Sequence, residues 1–517
     1  MAKVPATPRP WGGRGVRCAA VFYERRNDRL STPQPMNNAP SPSAPPVASA
    51  AKDTEAVSRS IFKAYDIRGI VDKTLTEATV RAIGRVLGGR ARKAGVASIV
   101  VGRDGRLSGP KLAAALSSGI TESGTDVIDV GMVPTPLVYF ATVLTGSGSG
   151  VAVTGSHNPP EYNGLKMMLA GTTLYGPDIV SIADEIDAAR QAGAGGARPT
   201  PGKVTRRDVS GDYLTKVTGD IKLARPMKIA VDAGNGVAGE LAPELLKAIG
   251  CEVVELFCDV DGTFPNHHPD PAHPENLQDL IAAVAEQDCE LGLAFDGDGD
   301  RLGVVTRSGQ IIFPDRQLML YAKDVLADRP GAMVIYDVKS TRNLAPWIRK
   351  HGGEPLMWRT GHSLIKAKLK ETKAALAGEM SGHVFFNDRW YGFDDGLYTA
   401  ARLLEILSRE SDPGAVLESL PDSPTTPELH LHLAEGENYR LIDRLQQDGK
   451  FPGATELTTI DGLRAEYADG FGLARASNTT PVVVLRFEAD SPEALKRIQD
   501  GFRQAIHSVA PGVKLPY

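Results

Sequence analysis

Cysteine is scarce in this chain. Its 517 residues hold four, Cys18, Cys251, Cys258 and Cys289, and no two form a Cys-x-x-Cys pair. That argues against a disulfide framework or a zinc site and suits a reducing cytoplasm. No apolar run is long enough to cross a bilayer, so no membrane partner is expected. Neither sign of charge is in marked excess: the formal net charge is −5. No global electrostatic case therefore exists for nucleic acid or an anionic membrane. What is present is ordinary for a soluble globular protein, with 42% hydrophobic and 23% charged residues. The length exceeds one ordinary core, so several domains are expected.

Residues 1–57 differ from the rest. They are rich in Pro, Ala, Arg, Ser and Asn and show little hydrophobic periodicity, which predicts a disordered tail. No apolar segment of sufficient length follows the early basic residues, so the tail does not read as a secretory signal. Its scattered arginines would suit a transit peptide, but its prolines oppose the helix such a peptide needs. Met36 is an alternative start.

The most informative stretch is Thr154-Gly155-Ser156-His157-Asn158-Pro159, which follows the apolar run Val151-Ala152-Val153. Gly155 lets the backbone bend sharply after a buried strand, and Pro159 prevents an early helix. The loop therefore presents one hydroxyl, that of Ser156. Downstream, Asp296-Gly297-Asp298-Gly299-Asp300-Arg301 follows the apolar run 291–295. Extended backbone would put the three carboxylates on one side, where a hard divalent cation relieves their repulsion. An EF-hand is excluded, because loop positions six and twelve hold Arg301 and Arg307. Three carboxylates leave a shell open to water and a phosphate oxygen, as Mg2+ prefers.

Two further loops carry chemistry. Gly378-Glu379-Met380-Ser381-Gly382-His383 alternates a carboxylate, a hydroxyl and an imidazole, a set suited to sugar hydroxyls. Arg475-Ala476-Ser477-Asn478-Thr479-Thr480-Pro481 combines one cation with four small polar side chains and suits a phosphate dianion.

The middle of the chain repeats an architecture of strand, helix, glycine and strand. The copies run over 98–130, 228–256 and 333–358, and each is followed by an apolar strand ending in one of the first three loops. Loops just past strand ends fit the rule for ligand sites in open α/β sheets. The expected fold is α/β: three similar domains with mixed sheets, plus a C-terminal α+β domain, around a central cleft. The expected limits are 58–205 with the serine loop, 206–307 with the acidic loop, 308–420 with the sugar loop and 421–517 with the phosphate loop. A last helix is predicted over 491–507, started by Ser491 before Pro492.

These four loops, with Phe62-Lys63-Ala64-Tyr65-Asp66-Ile67-Arg68-Gly69, resemble the α-D-phosphohexomutase family in its bacterial phosphomannomutase/phosphoglucomutase group. The matches occur in the family's order over roughly residues 60–510. The resemblance implies an enzyme that interconverts hexose 1-phosphate and hexose 6-phosphate, with mannose or glucose as the sugar. Ser156 would carry the phosphoryl group, and a hexose 1,6-bisphosphate would be the intermediate. One Mg2+ would sit on Asp296, Asp298, Asp300 and the Ser156 phosphoester, with Arg301 adding a guanidinium beside the transferring group. Arg68, Lys166 and His383 are implied for proton management, Lys166 through a pKa lowered by flanking cations. Lys339, His362, Glu379 and Ser381 are implied to contact the sugar. Arg475, Ser477, Asn478 and Thr479, with Tyr65 nearby, are implied to hold the phosphate that is not transferred. Glucose 1,6-bisphosphate would be an activator, and a cytoplasmic monomer is expected. The alternatives are a phosphoglucosamine mutase, a mutase strict for glucose phosphate, a phosphatase, or a non-catalytic sugar-phosphate-binding protein.

Overall fold

The structure is a computed structural model and describes residues 57–192, 199–478 and 480–517. The expected N-terminal tail lies outside them except for Val57, as does Thr479. Among the described residues, no helix is long and apolar enough to cross a membrane.

Three sheets share one topology. In the first, the strand Ser98–Arg103 lies parallel to Asp126–Met132 on one side and to Gly150–Val153 on the other. Gly150–Val153 then pairs antiparallel with Tyr162–Leu169, Val153 standing opposite Leu165. The second repeats this with Lys228–Asp232 between Glu252–Leu256 and Leu291–Phe295, and Leu302–Thr306 folded back with Leu302 opposite Phe295. The third repeats it with Met333–Asp337, Glu354–Trp358, Leu376–Gly378 and Val384–Phe386. Each chemical loop is thus the turn between the last parallel strand and its antiparallel return. The sheets are mixed, and three turns of equivalent position carry the serine, the acids and the sugar loop.

The local sequence explains these elements. Gly150–Val153 and Leu291–Phe295 are buried along their whole length, as strands covered on both faces must be. Gly124, Gly250 and Gly352 follow the helices with φ of +84°, +109° and +81°, the left-handed stop that glycine adopts without strain. The expected join at residue 205 falls inside the strand Val204–Arg206, which pairs with Asp126–Met132 and so completes the first sheet.

The last domain is an antiparallel five-stranded sheet, in the order 429–432, 482–489, 470–476, 463–467, 456–458. Its closing helix is Pro492–Val509, and the Ser491 side chain accepts from the Ala494 N–H at 3.2 Å. Arg475 and Ala476 are not loop residues as expected. They end the strand Gly470–Ala476 and pair with Val484 and Val483.

One apolar core runs from Val100 through Leu293 to Leu404 and so ties the first three domains together. The fourth has its own core around Leu463, Phe487 and Phe502. It meets the third through Val338, Phe471 and Leu473 and through a buried pair between Arg486 and Asp315 at 3.1 Å.

Candidate active site

Ser156 is 1% exposed and has φ +50°, the left-handed region that L-residues rarely occupy. Its N–H donates to Thr154 Oγ1 at 2.7 Å. Its Oγ lies 3.2 Å from Asp296 Oδ2 and 3.2 Å from His157 Nδ1. The serine and acidic loops touch directly. A Cβ on Gly297 would collide with the Ser156 carbonyl, so glycine is what allows the two loops this approach.

The three acids converge, but not through extended backbone. The chain turns at Gly297–Gly299, with Gly299 at φ +74°, and wraps around the first carboxylate. Asp296 Oδ1 accepts from the N–H groups of Asp300 at 3.1 Å and Arg301 at 3.2 Å. Asp298 Oδ2 accepts from Thr135 Oγ1 at 2.6 Å and from Lys166 Nζ at 2.8 Å, and Lys166 also pairs with Asp300 Oδ2. Asp298 Oδ1 and Asp300 Oδ1 are buried and accept no hydrogen bond. Two orphaned carboxylate oxygens beside Asp296 and the serine hydroxyl fit a hard cation held by oxygen ligands.

Electrostatics agree. Burial, then repulsion from Asp298 and Asp300, pushes the Asp296 carboxyl well above the usual range. Burial opposes charge on Lys166, but Asp298 and Asp300 outweigh it and hold the ammonium above its ordinary value. The neighbours of Lys166 thus work against the lowered pKa expected from flanking cations, because its main charged neighbours are acids.

His383 stands across from the acidic loop. Its Nε2 accepts from Arg301 Nε at 3.1 Å, so the ring proton belongs on Nδ1. That nitrogen lies 3.2 Å from Asp394 Oδ2 and 3.5 Å from Asp300 Oδ1. His362 stacks on His383 with ring centroids 5.5 Å apart. Lys366 Nζ, 3.2 Å from His362 Nδ1, donates to Asp394 Oδ1 at 2.7 Å. Burial, followed by the Lys366 charge, drives the His362 pKa well down. Asp394 and Lys366 are buried members of the site that the sequence reading does not single out. The only local signal for Asp394 is Asp394-Asp395 before Gly396, the start of the helix Gly396–Leu407; Lys366, in the helix His362–Thr372, has none.

A second group of contacts lies at the junction of the first, third and fourth domains. The Tyr65 hydroxyl donates to the Thr360 carbonyl at 2.7 Å and accepts from Arg475 Nη2 at 2.8 Å and from Asn478 Nδ2. Arg475 Nε donates to Asp461 Oδ2 at 2.7 Å. Ser477 Oγ accepts from the Thr480 N–H at 3.3 Å. Between the two groups, Glu379 Oε1 accepts from the Gly361 N–H at 2.5 Å, next to His362. Ser381 is half-buried at the same turn. Lys339 Nζ pairs with Glu428 Oε1 at 2.6 Å. Arg68 pairs with Asp66 and donates to the Gly155 carbonyl at 2.9 Å, beside the serine. The arrangement offers a hydroxyl beside three acids able to hold a cation, an imidazole whose Nε2 accepts from Arg301, and a corner where Arg475, Tyr65 and Asn478 converge.

Four domain models match successive parts of the chain between residues 59 and 505. Phosphoglucomutase/phosphomannomutase α/β/α domains I, II and III match residues 59–193, 211–309 and 313–423, and the C-terminal domain of the same family matches 428–505. A phosphoglucomutase of Neisseria meningitidis serogroup A is 59% identical over 453 residues, 87% of this chain and 98% of its own. A phosphomannomutase/phosphoglucomutase of Pseudomonas aeruginosa PAO1 is 52% identical over 459 residues, 89% of this chain and 98% of its own. The crystal structure of a phosphoglucomutase/phosphomannomutase family protein from Burkholderia thailandensis superposes with a TM-score of 0.84 at 61% identity, covering 89% of this chain and all of that one.

Proposed function

The chain belongs to the phosphoglucomutase/phosphomannomutase family, and from that premise we propose how its own residues interconvert hexose 1-phosphate and hexose 6-phosphate. It is a hexose-phosphate mutase, an intramolecular phosphotransferase. The observation that carries the mechanism is the Ser156 hydroxyl, aimed at Asp296 from a left-handed turn beside two unpartnered carboxylate oxygens.

Ser156 carries the phosphoryl group. It gives the group to the free hydroxyl of the bound hexose phosphate, forming a hexose 1,6-bisphosphate. The intermediate reorients, and Ser156 takes the other phosphoryl group back. As the hexose O–P bond forms and the Ser156 O–P bond breaks, His383 takes the proton of the attacking hydroxyl on Nε2 after giving up its contact with Arg301. Asp394 and Asp300 steady the imidazolium through Nδ1, and the freed Ser156 oxygen takes up a proton in exchange; the return transfer reverses the exchange. Arg301 and Arg68 offset charge on either side of the serine loop. Glu379, Ser381, Lys339 and His362 orient the sugar. Arg475, Ser477, Asn478 and Tyr65 grip the phosphate that stays, and they serve either end of the sugar because phosphate presents the same face at both. Thr479, outside the described residues, belongs to the same loop. Asp296, Asp298, Asp300 and the Ser156 phosphoester would hold one Mg2+, which when bound neutralises charge on the transferring group.

In this reading the domains of residues 58–205, 206–307, 308–420 and 421–517 each contribute one loop. The substrate sugar is mannose or glucose, glucose 1,6-bisphosphate restores enzyme that has lost its phosphate, and the enzyme works as a cytoplasmic monomer. A coupled assay with mannose 1-phosphate, glucose 1-phosphate and glucosamine 1-phosphate, with and without Mg2+, tests it. Turnover of the first two that depends on the cation supports the reading. Preference for the amino sugar would replace it.

A further inference from the structure

We propose that Arg106 is the positioning residue of the nucleophile, a side chain that shapes the Ser156 loop without touching the substrate. The inference rests on Ser156 being the phosphoryl carrier.

Arg106 is 1% exposed and spends its guanidinium on the serine loop. Nη2 donates to the carbonyls of Ser156 at 2.8 Å and Asn158 at 2.5 Å. Nη1 donates to those of Pro159 at 2.6 Å and Tyr162 at 3.1 Å. Four carbonyls turned toward one point repel each other unless a polydentate cation stands there. A guanidinium has the planar fork to meet them; an ammonium does not. Nε is fixed at 3.1 Å from Asp104 Oδ2. The same oxygen accepts from Thr154 Oγ1 at 2.8 Å and from the Gly155 N–H at 3.0 Å. Thr154 Oγ1 in turn accepts from the Ser156 N–H. Both sides of the Ser156 peptide are therefore referred to one buried pair, carbonyl to Arg106 and N–H through Thr154 to Asp104.

Two further observations point the same way. Ser156 sits in the left-handed region, where Cβ crowds the following carbonyl oxygen, and an L-residue persists there only where the surroundings impose it. A Cβ on Gly155 would strike the guanidinium, so loop and arginine are built against each other. Arg106 is held from its far side by the second domain. The Phe264 ring lies 5.1 Å from Cζ, and added Cβ atoms at Gly105 and Gly262 would collide with Val260 and Arg106. The arginine thus aligns the serine loop of the first domain with the domain that supplies the acids.

The test uses full-length enzyme with Mg2+, labelled with 32P on Ser156, and compares wild type with Arg106→Lys and Thr154→Val. Single-turnover transfer of label to hexose 6-phosphate is measured per folded molecule, together with KM and melting temperature. A misplaced nucleophile predicts a fall in transfer rate of about 100-fold for Arg106→Lys and a smaller one for Thr154→Val, with KM unchanged. A residue that only stabilised the fold would lower the melting temperature and leave the rate per folded molecule intact, and that result overturns the proposal. So does a loss carried by KM alone. If Arg106→Lys does not fold, Thr154→Val decides: wild-type transfer by that variant refutes the inference. Absence of label on wild-type Ser156 refutes the phosphoserine reading itself, and the inference with it.

Discussion

Arg475 Nη2 donates to the Tyr65 hydroxyl at 2.8 Å, across 410 residues of chain. The contact joins the last domain to the first, at the corner where the retained phosphate is proposed to sit. Arg475 is 5% exposed and also pairs with Asp461. Phosphate entering this corner meets a guanidinium already oriented by two partners, so little side-chain entropy remains to be lost on binding.

Arg475→Ala removes a contact that, in the proposed role, is made in ground and transition states alike. KM is expected to rise strongly and kcat to fall less, through incomplete closure of the last domain. The combined loss in kcat/KM is expected to be about 2–4 kcal/mol, the scale for removing one partner of a buried charged pair. The bisphosphate should also escape more often, so the variant should depend more on added glucose 1,6-bisphosphate. Steady-state kinetics with and without the activator read both effects. A collapse of kcat at constant KM would place Arg475 in the chemical step.

Ser156→Ala removes the hydroxyl proposed to carry the phosphoryl group. Substrate binding is expected to persist, with turnover nearly abolished. Mass spectrometry of active wild-type enzyme should find phosphate on this serine. Wild-type activity in the alanine variant would exclude the role.

Asp298→Asn takes one charge from the acidic turn but leaves an oxygen able to accept from Thr135 and Lys166. kcat is expected to fall by orders of magnitude and the requirement for added Mg2+ to rise, since about 1.4 kcal/mol of lost transition-state stabilisation is tenfold in rate. Metal titration of kcat checks this. Undiminished wild-type activity in EDTA would remove the cation from the mechanism.

Local signals made the three repeated units legible: apolar strands of about five residues, glycines at helix ends, and loops of unusual composition just beyond the strands. The serine and acidic loops could be read because their chemistry is concentrated in six consecutive residues each. Arg106, Asp104, Asp394 and Lys366 could not be, because the contacts that bring each to the site are with partners distant in sequence. Arg106 sits in Arg103-Asp104-Gly105-Arg106, which by itself looks like a solvated turn, and its carbonyl partners lie some 50 residues on. The helix Glu437–Asp448 is also hidden. Its apolar positions are few, and it is held by packing on the domain core through Leu441, Ile442 and Leu445 rather than by propensity. The turn at 296–300 defeated the period-two argument for a related reason. Gly297 and Gly299 free the backbone to curl around Asp296, where its N–H groups find an acceptor that an extended strand would not offer them.

Asp395, next to Asp394 of the proposed site, offers a test of stability with a definite sign. It is 1% exposed and accepts from the Tyr213 hydroxyl at 2.9 Å, Trp390 Nε1 at 3.2 Å and the Tyr398 N–H at 2.9 Å, where it caps the helix Gly396–Leu407. Burial outweighs these donors and raises its pKa from 3.8 to about 7. Between those values the folded protein keeps a proton that the unfolded chain has released, so stability must fall as pH rises through the window and level off above it. The slope from this one group is about 1.4 kcal/mol per pH unit. Asp395→Asn cannot titrate and lacks the slope. The difference in unfolding free energy, wild type minus variant, is therefore expected to decline from about pH 4 to about pH 7 and to stay flat beyond. Urea unfolding followed by tryptophan fluorescence at a series of pH values measures it, with Trp390 stacked on Tyr398 as an internal reporter. A difference that grew with pH would mean that the three donors win over burial and that Asp395 is ionised throughout this range.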